Sequence, residues 1–321
     1  MENPGAAFSV PGSGHTGSLF TVIVALGANA LLASVKSIAA ILTGSASMVA
    51  ESAHSWADTA TEVFLLIAER SGQRPRDAEH PRGYGRSTYI WSLVAAFGLF
   101  SAGAMFSIYH GVSQLSGSSA KGNFAVSYTV LAVAFVLESI SFLQATRQVR
   151  TDAKAFGLHP LRYVNRTSDP TLRAVFLEDV SALLGLLIAG VAIAAHQLTG
   201  NPVFDALGSV GVGVLLAVVA VFLMRRNMQY LLGEGLSPAQ RSRVLASLLA
   251  HPEIERITYL HVEYVGPQLL FVVAAVDLTG DDAEGHLAVR FQRLEADIET
   301  DPLIADAVLT MAPPDDPELR P

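Results

Sequence analysis

The chain has 321 residues, 51% of them apolar and only 16% charged, with a mean hydropathy of +0.40; a soluble chain carries closer to ~25% charged residues. The absence of cysteine excludes disulfides, thiolate zinc sites and cysteine nucleophiles. A net charge of −8, with no basic stripe interleaved with aromatics, gives no footing for a nucleic-acid partner.

In chain order, residues 1–17 are rich in Gly, Ser and Pro and contain no Arg, and they read as a disordered tail without a signal peptide or mitochondrial presequence. Six apolar runs follow, each near the ~20 residues that cross a hydrocarbon core. They are Leu19–Leu42, Ala46–Ala68, Tyr89–Val112, Val126–Thr146, Leu172–Leu198 and Phe204–Met224. The loop after the second run carries Arg70, Arg74, Arg76, Arg82 and Arg86. The loop after the fourth carries Arg147, Arg150, Lys154, Arg162, Arg166 and Arg173, and Arg225 and Arg226 follow the sixth. The loops of the other side hold only Lys121. With six spans every basic cluster falls on one face, which places both termini in the cytoplasm. The sequence therefore predicts an α-helical, multi-pass membrane protein, and the default membrane is a prokaryotic-type cytoplasmic (plasma) membrane.

Residues 18–233 are the expected transmembrane domain and 234–321 a cytoplasmic domain. In the latter, Pro238–Leu249 has helical spacing, Ile254–Tyr264 and Leu269–Leu278 read as strands, Ala283–Ile298 as an amphipathic helix, and Ile304–Met311 as a third strand. That order suggests helices layered on a small sheet.

Ionisable residues inside the apolar runs carry the chemistry. On span two, Glu51, His54, Asp58 and Glu62 fall within an arc of roughly 80° at ~100° per residue, so one face is polar. On span five, Glu178 and Asp179 are adjacent. Asp58 lies ~15 Å from the cytoplasmic end of its span and Asp179 ~10–12 Å from the same end of its own, at ~1.5 Å per residue, so the two can meet at one depth. An ionised carboxylate near the bilayer centre costs ~2.5–3.5 kcal/mol even on the lenient insertion scale and calls for a cation, a proton or water. One imidazole with two or three carboxylates suits a borderline divalent ion such as zinc, cobalt, iron or manganese, whereas magnesium and calcium prefer oxygen alone. Those ligands also compete for protons, which couples metal release to protonation.

Other polar residues have blander readings. Glu51 and Glu62 lie near the two membrane surfaces, solvated or paired with basic groups. Asn29, Lys36 and Glu138 are structural or proton-relay groups. His110, His196 and His251 are incidental, and Gly208, Gly211 and Gly213 permit close helix contact. A metallohydrolase would need a His-Glu-x-x-His helix, which is absent. A non-transporting metal sensor or scaffold shares the site, but the tail offers no output motif.

The run Gly44-Ser-Ala-Ser-Met-Val-Ala-Glu-Ser-Ala-His54-Ser-Trp-Ala-Asp58 resembles the second-helix signature of the cation diffusion facilitator family. His80-Pro-Arg-Gly-Tyr-Gly85 is similar to the family's loop segment. Asp169-Pro170, Leu177-Glu178-Asp179, Gly200-Asn-Pro and Phe204-Asp205-Ala-Leu-Gly-Ser are similar to the branch that contains the mitochondrial zinc transporters. The resemblance implies a six-helix bundle, a cytoplasmic ferredoxin-like domain, a homodimer embedded in lipid, and exchange of Zn2+ for protons out of the cytoplasm, with no resident cofactor and no enzymatic activity. It also implies a transport site of His54, Asp58 and Asp179.

Three departures stand out. A second His is common four residues before the span-five Asp, where this chain has Val175; Glu178 and Asp179 straddle that direction, which makes Glu178 a candidate fourth ligand or else the partner of a basic group such as Arg173. The oxygen-richer site leaves manganese, iron or cobalt as alternative cargo. In the loop, Asp77 and His80 remain as a possible second site while the last family position is Tyr84. In the tail, the positions of the family's metal-binding His fall near Thr258 and Met311, which leaves only His261 and His286.

Overall fold

The computed structural model describes residues 19–115, 123–155, 157–280 and 283–321; the expected N-terminal tail and Lys121 lie outside the described residues. The chain divides into two compact units, one holding the long helices up to Glu69 and from Ile90 to Met228, the other Arg70–Tyr89 with Gln229–Pro321.

The helical unit is built from α1 (Leu19–Thr43), α2 (Ala46–Gly72), α3 (Ser87–Gly98), α4 (Phe106–Gln114), α5 (Phe124–Ala155), α6 (Pro160–Arg166), α7 (Pro170–Thr199) and α8 (Val203–Leu231). A π-helical segment, Leu99–Met105, joins α3 to α4 in one rod. Among the described residues, five helices are long and apolar enough to cross a membrane: α1, the α3–α4 rod, α5, α7 and α8. At 27 residues α2 is ~40 Å long, but Glu51, Asp58 and Glu62 dilute its apolar composition. Ile41, Val191 and Leu198 are 82%, 71% and 87% exposed, the kind of surface that suits lipid rather than water.

Local chemistry sets the helix ends. Asp169 caps α7 by accepting hydrogen bonds from the backbone N–H groups of Thr171 and Leu172, Pro170 occupies the first turn, and Gly200 closes the helix in the left-handed conformation. Gly44, also left-handed at φ 63°, turns the chain from α1 into α2. Ala50, Ala57 and Leu65 of α2 share a buried cluster with Ala95 and Leu99 of the rod, Ala174 of α7 and Val212 and Leu216 of α8. Past the expected end of span four at Thr146, α5 continues to Ala155. Ala145, Val149 and Ala153 keep an apolar stripe there, packed on Tyr163 and Val164 of α6 and on Leu172 and Phe176 of α7.

The second unit has the expected order: α9 (Pro238–Leu249), β1 (Ile254–Gly266), β2 (Leu269–Leu278), α10 (Glu284–Ile298) and β3 (Ile304–Met311). The sheet runs β1-β2-β3. Val262 of β1 pairs with Val272 in the antiparallel ladder, and Val273 of β2 pairs with Val308 in the parallel one. Leu245 and Leu248 of α9 and Leu294 of α10 pack with Ile257, Val272 and Val276 of the sheet. The segment between α2 and α3 is seated on this domain. Arg86 and Arg82 reach Glu263 at 3.0 and 3.7 Å, and the Arg82 guanidinium stands 3.8 Å over the Phe271 ring. A side chain at Gly85 would come within 2.7 Å of the Val265 carbonyl, so glycine permits the close approach.

Candidate functional site

The polar face of α2 points into the helical unit. His54 is 1% exposed, and its Nε2 lies 3.2 Å from Asp58 Oδ2, one turn along the same helix. From α7, Glu178 and Asp179 are both buried, whereas Val175 is partly exposed. Asp179 Oδ1 accepts a hydrogen bond from Ser141 Oγ of α5 at 2.9 Å. Asp58 is a charge neighbour of both Glu178 and Asp179, and Glu62 is a further neighbour of Glu178.

What these groups lack is as informative as what they touch. His54 Nδ1, Asp58 Oδ1, Glu62 Oε2, Glu178 Oε1 and Asp179 Oδ2 are buried without a hydrogen-bond partner among the described residues. Such atoms lose their hydration and gain nothing in return unless a cation, a proton or water completes them. Among the described residues no three His, Asp or Glu side chains close around a single point. The four predicted residues are thus brought to one region, not into a finished coordination shell.

The surrounding polar residues differ from the sequence reading. Glu51 is fully buried, not solvated at a surface, and Lys36 Nζ pairs with its Oε2 at 3.1 Å. Lys36 also donates to Ser55 Oγ at 2.8 Å. Glu62 accepts a hydrogen bond from the Asn29 amide. Arg173, considered as a partner of Glu178, is fully buried and donates to the backbone carbonyls of Val164, at 3.2 Å, and Thr167. It ties α6 to the start of α7. Glu138 of α5 is a charge neighbour of Lys36, His54 and Asp58. Together with Ser141 it forms an i,i+3 polar pair on α5, and that spacing is the signal by which Ser141 can be found in the sequence.

Asp205 of α8 is a larger omission. It is 3% exposed and accepts from Ser45 Oγ at 2.8 Å and from the backbone N–H groups of Ala46 and Ser47 at 2.7 and 3.1 Å. A carboxylate from a distant helix therefore caps α2, where the helix dipole favours negative charge.

In the loop of the second unit, Asp77 and His80 come together, with Nδ1 and Oδ1 3.5 Å apart. Asp77 Oδ1 already accepts from the backbone N–H groups of Glu79 and His80, and Oδ2 accepts from the Tyr84 hydroxyl at 2.7 Å. The Tyr84 hydrogen bond, then that of the His80 backbone, holds the Asp77 carboxyl below the usual carboxylate range. The same contact pushes the Tyr84 phenol up. Of the remaining histidines, His251 meets Asp297 at 3.1 Å, His196 packs against Phe124, and His261 and His286 are exposed.

The family model of the cation efflux transmembrane domain matches residues 22–232. The chain belongs to the cation efflux family. Known members similar to it include the mitochondrial proton-coupled zinc antiporter SLC30A9 of Xenopus laevis, 36% identical over 259 residues, 81% of this chain and 46% of the relative. Metal tolerance protein C4 of Arabidopsis thaliana is 35% identical over 259 residues, 81% of this chain and 57% of the relative. The magnetosome protein MamB of Magnetospira is 26% identical over 190 residues, 59% of this chain and 58% of the relative. The chain spans about half the length of the zinc antiporters it matches. This cation diffusion facilitator family is one of secondary transporters, not of enzymes.

Proposed function

We propose that the protein is a divalent-cation transporter, most suited to Zn2+, that exchanges metal for protons through a site between α2 and α7. One observation carries the reading: Asp58 is a charge neighbour of both Glu178 and Asp179 on α7, and each of the three carboxylates has a buried oxygen without a hydrogen-bond partner among the described residues. In the proposed cycle, the site opens to the cytoplasm and His54, Asp58, Glu178 and Asp179 give up protons to take the cation. Rearrangement of the helices then exposes it to the other face, where protons displace the metal. The zinc antiporters among its relatives support zinc as cargo, and the oxygen-rich donor set also accommodates manganese, iron or cobalt.

The reading treats α2 as a sixth membrane span, long enough to cross and polar because it carries the ligands, with both termini on the cytoplasmic side. It further takes the αββαβ tail as a ferredoxin-like domain and the working unit as a homodimer, the Asp77–His80 turn being structural. Titration of zinc into the detergent-solubilised protein tests the site. Asp58→Ala should abolish high-affinity binding, and Glu178→Ala should weaken it about tenfold or more, the scale set by losses around metal sites. Wild-type affinity in a folded Asp58→Ala protein would overturn the assignment.

A further inference from the structure

We infer that the buried Lys36–Glu51 pair is the positioning clamp of His54, with Glu51 Oε1 accepting the His54 Nδ1–H so that Nε2 keeps its lone pair for the transported metal. The inference rests on the α2–α7 transport site proposed above and adds two residues to it. A metal-binding imidazole needs its second nitrogen held, because the hydrogen bond on one nitrogen fixes which of the two is free to ligate.

The geometry singles out Glu51 for that role. Lys36 Nζ grips Oε2 at 3.1 Å and is itself anchored on Ser55 Oγ at 2.8 Å, which fixes the carboxylate and leaves Oε1 as a buried oxygen without a hydrogen-bond partner among the described residues. His54 Nδ1 is likewise buried and unpartnered among the described residues, while Nε2 faces Asp58. Both free atoms converge on one spot of α7. A side chain at Gly185 would meet Glu51 Oε1 at 2.6 Å and His54 Nδ1 at 3.6 Å. Glycine leaves that space to the carboxylate and the ring. The two unsatisfied groups are complementary, one an acceptor and the other able to carry a proton, and they flank the same space beside Gly185.

Two measurements on the full-length protein in detergent decide the matter. Histidine ring 15N shifts in the zinc-loaded wild type should show His54 protonated at Nδ1 and ligating through Nε2; ligation through Nδ1 would overturn the inference without any substitution. Zinc affinity is then compared between wild type, Glu51→Gln and the double variant Lys36→Met/Glu51→Leu, which removes both charges and leaves none orphaned. The double variant should unfold at the wild-type temperature yet bind zinc about 10–100-fold more weakly, while Glu51→Gln, which keeps an acceptor oxygen, should stay within a few-fold of wild type. A folded double variant with wild-type affinity would reduce the pair to packing and overturn the inference. Wild-type protein that binds no zinc at all would overturn the transport-site reading, whereas zinc held through Nδ1 would overturn this inference alone.

Discussion

Asp205 on α8 accepts the Ser45 hydroxyl hydrogen bond at 2.8 Å and so closes the first turn of α2 from 160 residues away in the sequence. The helix that carries His54 and Asp58 thus has its far end fixed by a buried carboxylate that also takes two backbone N–H groups. Replacing Asp205 by Ala should lower stability by about 2 kcal/mol, the upper range for losing a helix cap. Asp205→Asn, which keeps one acceptor oxygen, should cost less. Thermal unfolding in detergent orders the two variants, and equal unfolding temperatures for Asp205→Ala and wild type would contradict the capping role.

The glycines of α8 make a graded prediction. A side chain at Gly213 would come 2.9 Å from the Ala104 carbonyl and 2.9 Å from the Ile108 backbone nitrogen, and backbone cannot yield as a flexible side chain does. At Gly211 the nearest atom is Ile188 Cγ2 at 3.2 Å, which has room to give. Gly213→Ala should therefore destabilise by about 1–3 kcal/mol and Gly211→Ala by distinctly less, read from the same unfolding curves. The reverse order would argue that α8 does not pack tightly on the π-helical rod.

The Asp77–Tyr84 contact predicts a pH window for the loop between α2 and α3. Asp77 has a depressed folded pKa, so its contribution is complete above the ordinary carboxylate value of ~3.9 and is lost as pH falls through the lower folded value. Tyr84 has a raised folded pKa, so its share is complete below the ordinary phenol value of ~10 and is lost as pH rises through the folded value. The turn should be intact across the neutral range. Carboxyl NMR titration of Tyr84→Phe should move the Asp77 midpoint upward toward its ordinary value; an unmoved midpoint would show that the backbone donors alone set it.

Much of this architecture is legible in the sequence because its period is strong. The alternation of Ile254–Tyr264 and Leu269–Leu278 and the helical spacing of Pro238–Leu249 read directly as the observed elements. The spacing of His54 and Asp58 places both on one face of α2, whatever the tertiary context. What escaped has no local signal. Asp205 meets Ser45 only once α8 is beside α2, and Lys36 pairs with Glu51 only once α1 packs on the same face. The π-helical turn at Leu99–Met105 shifts hydrogen bonds along the backbone without altering the apolar composition that marks a span. The extension of α5 to Ala155 was hidden because its stripe of Ala145, Val149 and Ala153 is narrow and lies among Arg147, Arg150 and Lys154, which read as a loop. Arg173 read as a candidate ion-pair partner, yet its guanidinium satisfies the Val164 and Thr167 carbonyls in the α6–α7 connection.

Zinc flux into proteoliposomes under an imposed pH gradient reads proton-coupled metal movement through the α2–α7 carboxylates. Wild type should take up zinc only with the gradient, and Asp58→Ala and Asp179→Ala should each abolish uptake while remaining folded. Gradient-independent uptake, or flux that survives both substitutions, would rule out proton-coupled transport through these carboxylates.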